Sequence, residues 1–464
     1  MQKRTTINSK NEVKATFFYF ISNICTRAFG FLTIPLYTHM LTTSEYGYLN
    51  TYSAWVSVLS VILGLSLSGA IYGHVKLNKK EINKFQSSVF SLSFVSAILI
   101  SLVVIGAYLI LKGRIDAILI LALVQGYGTF TVNFFLQELI LDNRYILHSI
   151  ISILTVVIPV GITCVIIKAL FQTSKYLCVI VPRAIIYGIL LLVFAIIILV
   201  RGKKYFDIDI WKWSLRYCLP LVFHTLSLTI LLQADRIMLS SLYSLSESGI
   251  YSFIYNITLV VGVLIGALEN TWKTWFFNKY DTTDKYTIQK RVRLFVSVAI
   301  LGVAVYVFVA PDLIRILASK EYQTQTYLIG PIALAYIISF LYDFPVYLEY
   351  KKNATKYIAI SSVIAASVNI ILNFILIPIW GGIGAALTTL VSYLIQFVLH
   401  TIISNKLEKN LFTFRLFIPY CIMGIIILVV FIIVMNTYML RYIMAVGAVL
   451  LLFIQIYKNK ELLV

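Results

Sequence analysis

The chain has 464 residues, 60% of them hydrophobic and 12% charged, against about one quarter charged in soluble domains. That balance excludes a soluble globular protein and indicates a polytopic membrane protein. The formal charge of +19 would suggest nucleic acid in a soluble chain, but basic loops at one face of a membrane account for it equally well.

Taken in chain order, runs of about twenty apolar residues mark the expected spans. There are fourteen: 13–38, 47–73, 85–111, 117–140, 146–168, 176–200, 214–240, 248–271, 291–310, 327–350, 354–378, 382–404, 412–435 and 438–457. The first dozen residues are polar, and the run from Val13 to Met40 is too long for a signal-peptide core. The first span is therefore expected to stay in the protein. Most connections are short, the longest polar link being about Trp272 to Lys290.

With the N-terminus inside, 28 of the 38 lysines and arginines fall in cytoplasmic loops. Only Lys112, Arg114, Lys168, Lys175, Arg315, Lys320 and Arg441 fall in the opposite loops. This bias follows the positive-inside rule, puts both termini in the cytoplasm, and removes the case for nucleic acid.

Two stretches repeat. Thr43 to Tyr52 (T-S-E-Y-G-Y-L-N-T-Y) is echoed by Leu245 to Ile254 (L-S-E-S-G-I-Y-S-F-I), and the span opening at Asn143 by the span opening at Asn353. Six spans separate each pair, so the repeat is parallel, about an axis along the membrane normal. The expected architecture is all-α: an N-terminal six-helix bundle (1–205), a C-terminal six-helix bundle (206–405) and two additional transmembrane helices (406–464).

Three arginines lie within spans: Arg27, Arg183 and Arg236. Each would cost about 2.5–3.5 kcal/mol at a helix centre on insertion scales. Arg27 stands near mid-span with Asn23 one turn earlier on the same face, and Arg183 follows Pro182, which frees a backbone carbonyl. Arg236 adjoins Asp235 in the segment from Trp211 to Ser252, which also carries His224 and Gln233. For each arginine a cross-link between helices competes with a role in substrate contact. The mid-membrane carboxylates are fewer. Asp235 and Asp343 are the candidates to exchange a proton or hold Na⁺, and Glu138, Glu269 and Glu349 lie close to span ends. An excess of buried cations favours an anionic substrate over a cationic drug.

No G-x-x-x-x-G-K-[ST] loop occurs, the five histidines are far apart, and the five cysteines are unpaired in spacing. No metal site, cofactor or catalytic residue is expected. From Asn369 to Gln396 the chain reads as a tight helical hairpin, with Asn369 and Asn373 on one face, Pro378 ending the first helix, and Gly381, Gly382 and Gly384 turning the chain.

This hairpin, the L-P-L…A-D-R-I-M-L…S-G-I-Y-S pattern of Leu219 to Ser252 and the T-I-P-L-Y…S-E-Y-G stretch from Thr33 to Gly47 resemble one family. It is the oligosaccharide and polysaccharide (O-antigen type) flippase branch of the multidrug/oligosaccharidyl-lipid/polysaccharide exporter superfamily. The resemblance covers nearly the whole chain through short motifs. It implies two six-helix bundles around a cation-lined cavity open alternately to the two membrane faces. It also implies an undecaprenyl-pyrophosphate-linked sugar repeat unit as substrate, flipped from the cytoplasmic to the outer leaflet.

The leading expectation is thus a multi-pass flippase of the bacterial inner membrane, serving O-antigen (lipopolysaccharide) or capsule polysaccharide biosynthesis. Its partners would be the lipid-linked oligosaccharide and membrane lipids, with a polysaccharide polymerase and chain-length regulator as further candidates. Two rivals remain: a cation-coupled multidrug or metabolite antiporter of the same superfamily, and a membrane polysaccharide polymerase.

Overall fold

The computed structural model describes residues 9–73, 79–167 and 174–459. Lys3, Arg4, Lys76, Lys168 and Lys460, which enter the charge pattern, lie outside the described residues. The described chain is helical throughout, without a strand. Its long helices are α1 (Ser9–Met40), α2 (Thr43–Gly64), α3 (Lys79–Lys112), α4 (Ala117–Leu141), α5 (Tyr145–Ile166), α6 (Leu177–Gly202) and α7 (Ile208–Leu242), followed by α8 (Leu245–Lys279), α9 (Lys285–Leu317), α10 (Ile329–Lys351), α11 (Thr355–Trp380), α12 (Gly382–Leu407), α13 (Phe414–Val434) and α14 (Tyr438–Lys458). Among the described residues, twelve of these, α3 to α14, are apolar and long enough to cross a membrane. The protein is a multi-pass membrane protein.

The helices depart from the expected spans in two places. The second span was expected to run to residue 73, but α2 stops at Gly64, and Leu65 and Ser66 follow at φ 45° and 48°. The sequence G-L-S-L-S-G is weak helix material, and a Cβ on Gly64 would lie 2.0 Å from the Phe130 ring, so α4 packs where a continuing helix would need room. The Trp272–Lys290 link is likewise no loop. Helix α8 carries on to Lys279 because Trp272 and Phe276 keep its buried face apolar. The next helix then begins behind Asp284, whose carboxylate accepts from the Thr287 N–H at 2.9 Å.

The described chain divides into two compact units, one running to Leu41 and from Tyr48 to Gln233, the other comprising Thr42–Gly47 and Ala234 onward. In the first, α6 packs against α3, α4 and α5, and α1 against α5. Its core includes a run of rings, Phe90, Tyr127, Phe130 and Phe134, with centroids 5.7–6.3 Å apart. In the second, α12 packs against α10 and α11, and α9 and α10 pack against α8 and α13. Trp272 is 1% exposed there, with the Phe276, Phe295 and Phe344 rings at 4.8–6.0 Å. Helix α14 is fastened to α9 by Arg441, whose guanidinium grips Asp312 at 2.8 and 3.0 Å and donates to the Phe308 carbonyl.

The sequence repeat reappears as repeated local geometry. Asn143 and Asn353 both adopt left-handed backbone, φ 55° and 57°, a conformation asparagine tolerates well. Each closes its helix in the same way. The residue after the asparagine donates its N–H to a carbonyl five residues back, Arg144 to Leu139 and Ala354 to Glu349. The other pair of motifs starts α2 and α8. Thr42 and Glu45 form a reciprocal capping box at 3.1 and 3.2 Å, and Ser244 caps Glu247 N at 3.1 Å. In the second copy the Glu247 carboxylate turns away, accepting from Gly382 N–H (2.7 Å) and Gln325 (2.6 Å), and so caps α12 instead. These two helix starts cross within the second unit. A Cβ on Gly249 would lie 2.0 Å from the Thr43 carbonyl oxygen and one on Gly47 1.8 Å from that of Leu245, so only glycine fits. Thr43 and Ser246 join hydroxyls beside the crossing at 2.8 Å.

Candidate functional site

In the first unit, Arg27 and Asn23 are one turn apart on α1 and both exposed. Arg27 makes no hydrogen bond or ion pair among the described residues. Arg183 sits on α6, half-buried, with its guanidinium 3.3 Å from the Tyr37 hydroxyl of α1 and 5.6 Å from the centre of that ring. Pro182 cannot donate to the Cys178 carbonyl, and the Thr163 hydroxyl of α5 takes that role at 3.0 Å. The proline is thus accommodated by a side-chain donor, and Arg183 is carried on a helix whose freed carbonyl is satisfied. Nearby, the Tyr52 hydroxyl donates to Gln125 at 2.9 Å.

In the second unit, Asp235 is 3% exposed, and donors from three other helices reach its carboxylate. They are Tyr251 of α8 (2.6 Å), Asn373 of α11 (2.8 Å) and Thr389 of α12 (2.6 Å). Asn373 also donates to Asn369 at 3.1 Å and accepts from Thr388. A buried carboxylate with three donors is compensated by dipoles rather than by a facing cation. Arg236 points elsewhere, as neighbours on a helix must. It is buried, donates to Asn256 at 2.9 Å, and stands 5.1 Å over the Tyr255 ring. Asn256 in turn donates to the Tyr46 hydroxyl at 3.1 Å.

Asp343 is half-buried on α10, and Glu269 of α8 is the ionisable group that acts on it. Glu269 accepts a hydrogen bond from Tyr347. Tyr393 of α12 is within electrostatic reach of both Asp235 and Asp343, so one helix face relates the two carboxylates.

Asp235 and Arg236 adjoin in sequence but have separate surroundings in the structure, and their partners were not among the expected site residues. Tyr251, Asn256, Thr388 and Thr389 were not singled out, and Asn369 and Asn373 stood only as one face of a hairpin. The available signal was polar residues one turn apart on α11 and a T-T pair on α12, both facing inward in an otherwise apolar hairpin. Arg27 and Arg183 belong to the first unit, and Asp235, Arg236 and Asp343 to the second.

All-helical architecture, a repeated unit and charged groups held inside apolar helices define the class: a polytopic membrane protein built like transporters. The sequence pattern of the polysaccharide biosynthesis protein family matches residues 13–270, and the chain belongs to that family. It thereby joins the polysaccharide branch of the exporter superfamily that its motifs resemble. A capsular polysaccharide biosynthesis protein, CapF of Staphylococcus aureus, is 22% identical over 83% of this chain and 97% of its own length. Among solved structures, the lipid II flippase MurJ in an inward closed conformation aligns with 96% of this chain and 99% of its own, at TM-score 0.69 and 16% identity. An inward-facing multidrug resistance MATE transporter of the MOP superfamily aligns with 83% of this chain and 96% of its own, at TM-score 0.58 and 13% identity. At such identities the structural likeness establishes the fold.

Proposed function

We propose that this protein flips undecaprenyl-pyrophosphate-linked oligosaccharide repeat units from the cytoplasmic to the outer leaflet by alternating access, for capsule or O-antigen polysaccharide synthesis, and performs no covalent chemistry. The observation that carries the reading is Arg27: an exposed guanidinium at mid-helix with no counter-charge among the described residues of its unit. Such a group is costly in hydrocarbon unless water or an anion meets it, and a pyrophosphate supplies that anion. Arg183 and Asn23, in the same unit, are assigned to that substrate headgroup, and Arg236 of the second unit is a separate substrate-contact candidate. Family membership and the CapF likeness support a polysaccharide precursor as cargo.

The protein is read as two six-helix bundles, 1–205 and 206–405, with two further helices, in the bacterial inner membrane with both termini cytoplasmic. A polysaccharide polymerase and chain-length regulator would act on what it delivers. H⁺ or Na⁺ coupling is assigned to Asp235, whose three donors could exchange for a bound cation, and to Asp343. The antiporter rival gains support from the MATE-like fold, but cationic cargo would be repelled by Arg27. In cells lacking the native protein, Arg27→Ala and Arg183→Ala should accumulate lipid-linked repeat units on the inner leaflet. Normal export by both variants would overturn the assignment of these arginines.

A further inference from the structure

Each unit buries one carboxylate against one base near the end of its repeat. In the first unit Glu138 of α4, 4% exposed, meets Arg201 of α6 at 3.0 Å. In the second, Glu349 of α10 meets His400 of α12, with Oε1 and Nδ1 2.9 Å apart and the two side chains 0% and 2% exposed. The difference lies in the base. A guanidinium keeps its charge at any accessible pH, so the first pair is neutral and holds no exchangeable proton. An imidazole does not. With His400 neutral and Glu349 ionised, the second pair would be a single buried negative charge, and one added proton makes it neutral.

The geometry around the pair leaves buried oxygens unmet. Glu349 Oε2 is buried without a hydrogen-bond partner, and so are Gln396 Oε1 and Thr401 Oγ, which flank His400 on α12. Glu349 also lies in the last turn of α10, where the helix dipole opposes negative charge. The titratable groups facing the pair are the tyrosines of α10: Tyr342, whose ring is 5.7 Å from the imidazole, and Tyr350. Among the described residues, no charged side chain of α8, α11, α12 or α13 other than His400 acts on the Glu349 carboxylate. From the imidazole, Tyr342 and Tyr393, ring centres 6.1 Å apart, lead toward Asp235.

We infer that Glu349 and His400 form a one-proton site, loaded while the pair is buried and emptied only when it parts or is wetted, and that its proton is exchanged during transport in addition to any ion held at Asp235 or Asp343. The assignment rests on the reading of the chain as an ion-coupled transporter. The test counts protons on the purified full-length protein by back-titration from acid to alkaline pH, without substrate. Over about pH 5.5–9, where exposed carboxylates and lysines keep their charge, His400→Arg, which copies the pair of the first unit, and Glu349→Gln should each release one proton fewer than wild type. Should one variant misfold, the other decides, and Glu349→Asp, which keeps a carboxyl in the pair, should restore the wild-type count. Equal proton counts in folded variants would overturn the site. In proteoliposomes, His400→Arg should also flip substrate at a rate less sensitive than wild type to an imposed pH gradient. A wild type that binds the proton but flips no lipid-linked sugar would instead overturn the functional reading and leave the site standing.

Discussion

Replacing Asp235 by alanine tests whether the buried carboxylate organises the second unit. The substitution removes the acceptor for Tyr251, Asn373 and Thr389, which reach it from three helices at 2.6–2.8 Å. Each stranded donor costs about 1–3 kcal/mol. Asn373 retains Asn369 and Thr388 as partners, so two donors bear most of the loss. Relief from burying a charge offsets part of it, leaving a net destabilisation of about 2–4 kcal/mol. Asp235→Asn keeps the shape and one acceptor oxygen but sets an amide N–H₂ against a donor, for about 1–2 kcal/mol. Thermal unfolding of detergent-purified protein should therefore rank wild type above Asp235→Asn, and Asp235→Asn above Asp235→Ala. An alanine variant as stable as wild type would mean that the charge costs as much to bury as its donors return, and the organising role would be refuted.

Other substitutions probe other contacts. Gly249→Val would drive its side chain into the Thr43 carbonyl, where a Cβ already stands at 2.0 Å, and should destabilise by about 1–3 kcal/mol in the same assay, whereas Gly30→Val, with open space around its Cβ, should be near neutral. Arg441→Ala leaves Asp312 with Arg315 at 3.6 Å and the Tyr442 hydroxyl at 3.1 Å in place of its two-pronged grip, which should cost about 2–4 kcal/mol and expose α14 to limited proteolysis. Glu408 is held down to about 2, from an ordinary value of 4.5, by Lys285, Tyr280 and Lys352. A depressed carboxyl contributes stability that is complete above its unfolded value and disappears as pH falls through its folded value. The melting-temperature gap between wild type and Glu408→Gln should thus be constant above pH 4.5 and close toward pH 2; a gap independent of pH would refute the ion cluster.

The spans were legible because hydrocarbon demands long apolar runs, and the alternate-loop charges call for an even number of them. Helix ends were less so. The polar extension of α8 reads as a loop until Trp272 and Phe276 are seen to pack, and the break after Gly64 depends on where Phe130 lies, a residue of another helix. The ionisable residues of the site were visible as anomalies of composition. Their partners were not, since Thr389 and Tyr251 are ordinary residues in such helices, and only the fold brings them to Asp235. The repeat lay between these extremes. Two asparagines 210 residues apart looked like a faint echo in sequence, but both occupy the left-handed turn that ends a helix.

The most direct test of the proposed function is flipping by the purified protein in proteoliposomes. An undecaprenyl-pyrophosphate oligosaccharide labelled on its sugar should become accessible to an impermeant enzyme at a rate well above that of protein-free vesicles. The rate should fall at least tenfold with Arg27→Ala, since losing a charge-assisted contact of about 1.5–3 kcal/mol corresponds to that factor or more. Equal accessibility with and without protein, or equal flipping of the same oligosaccharide on an uncharged lipid carrier, would contradict the account.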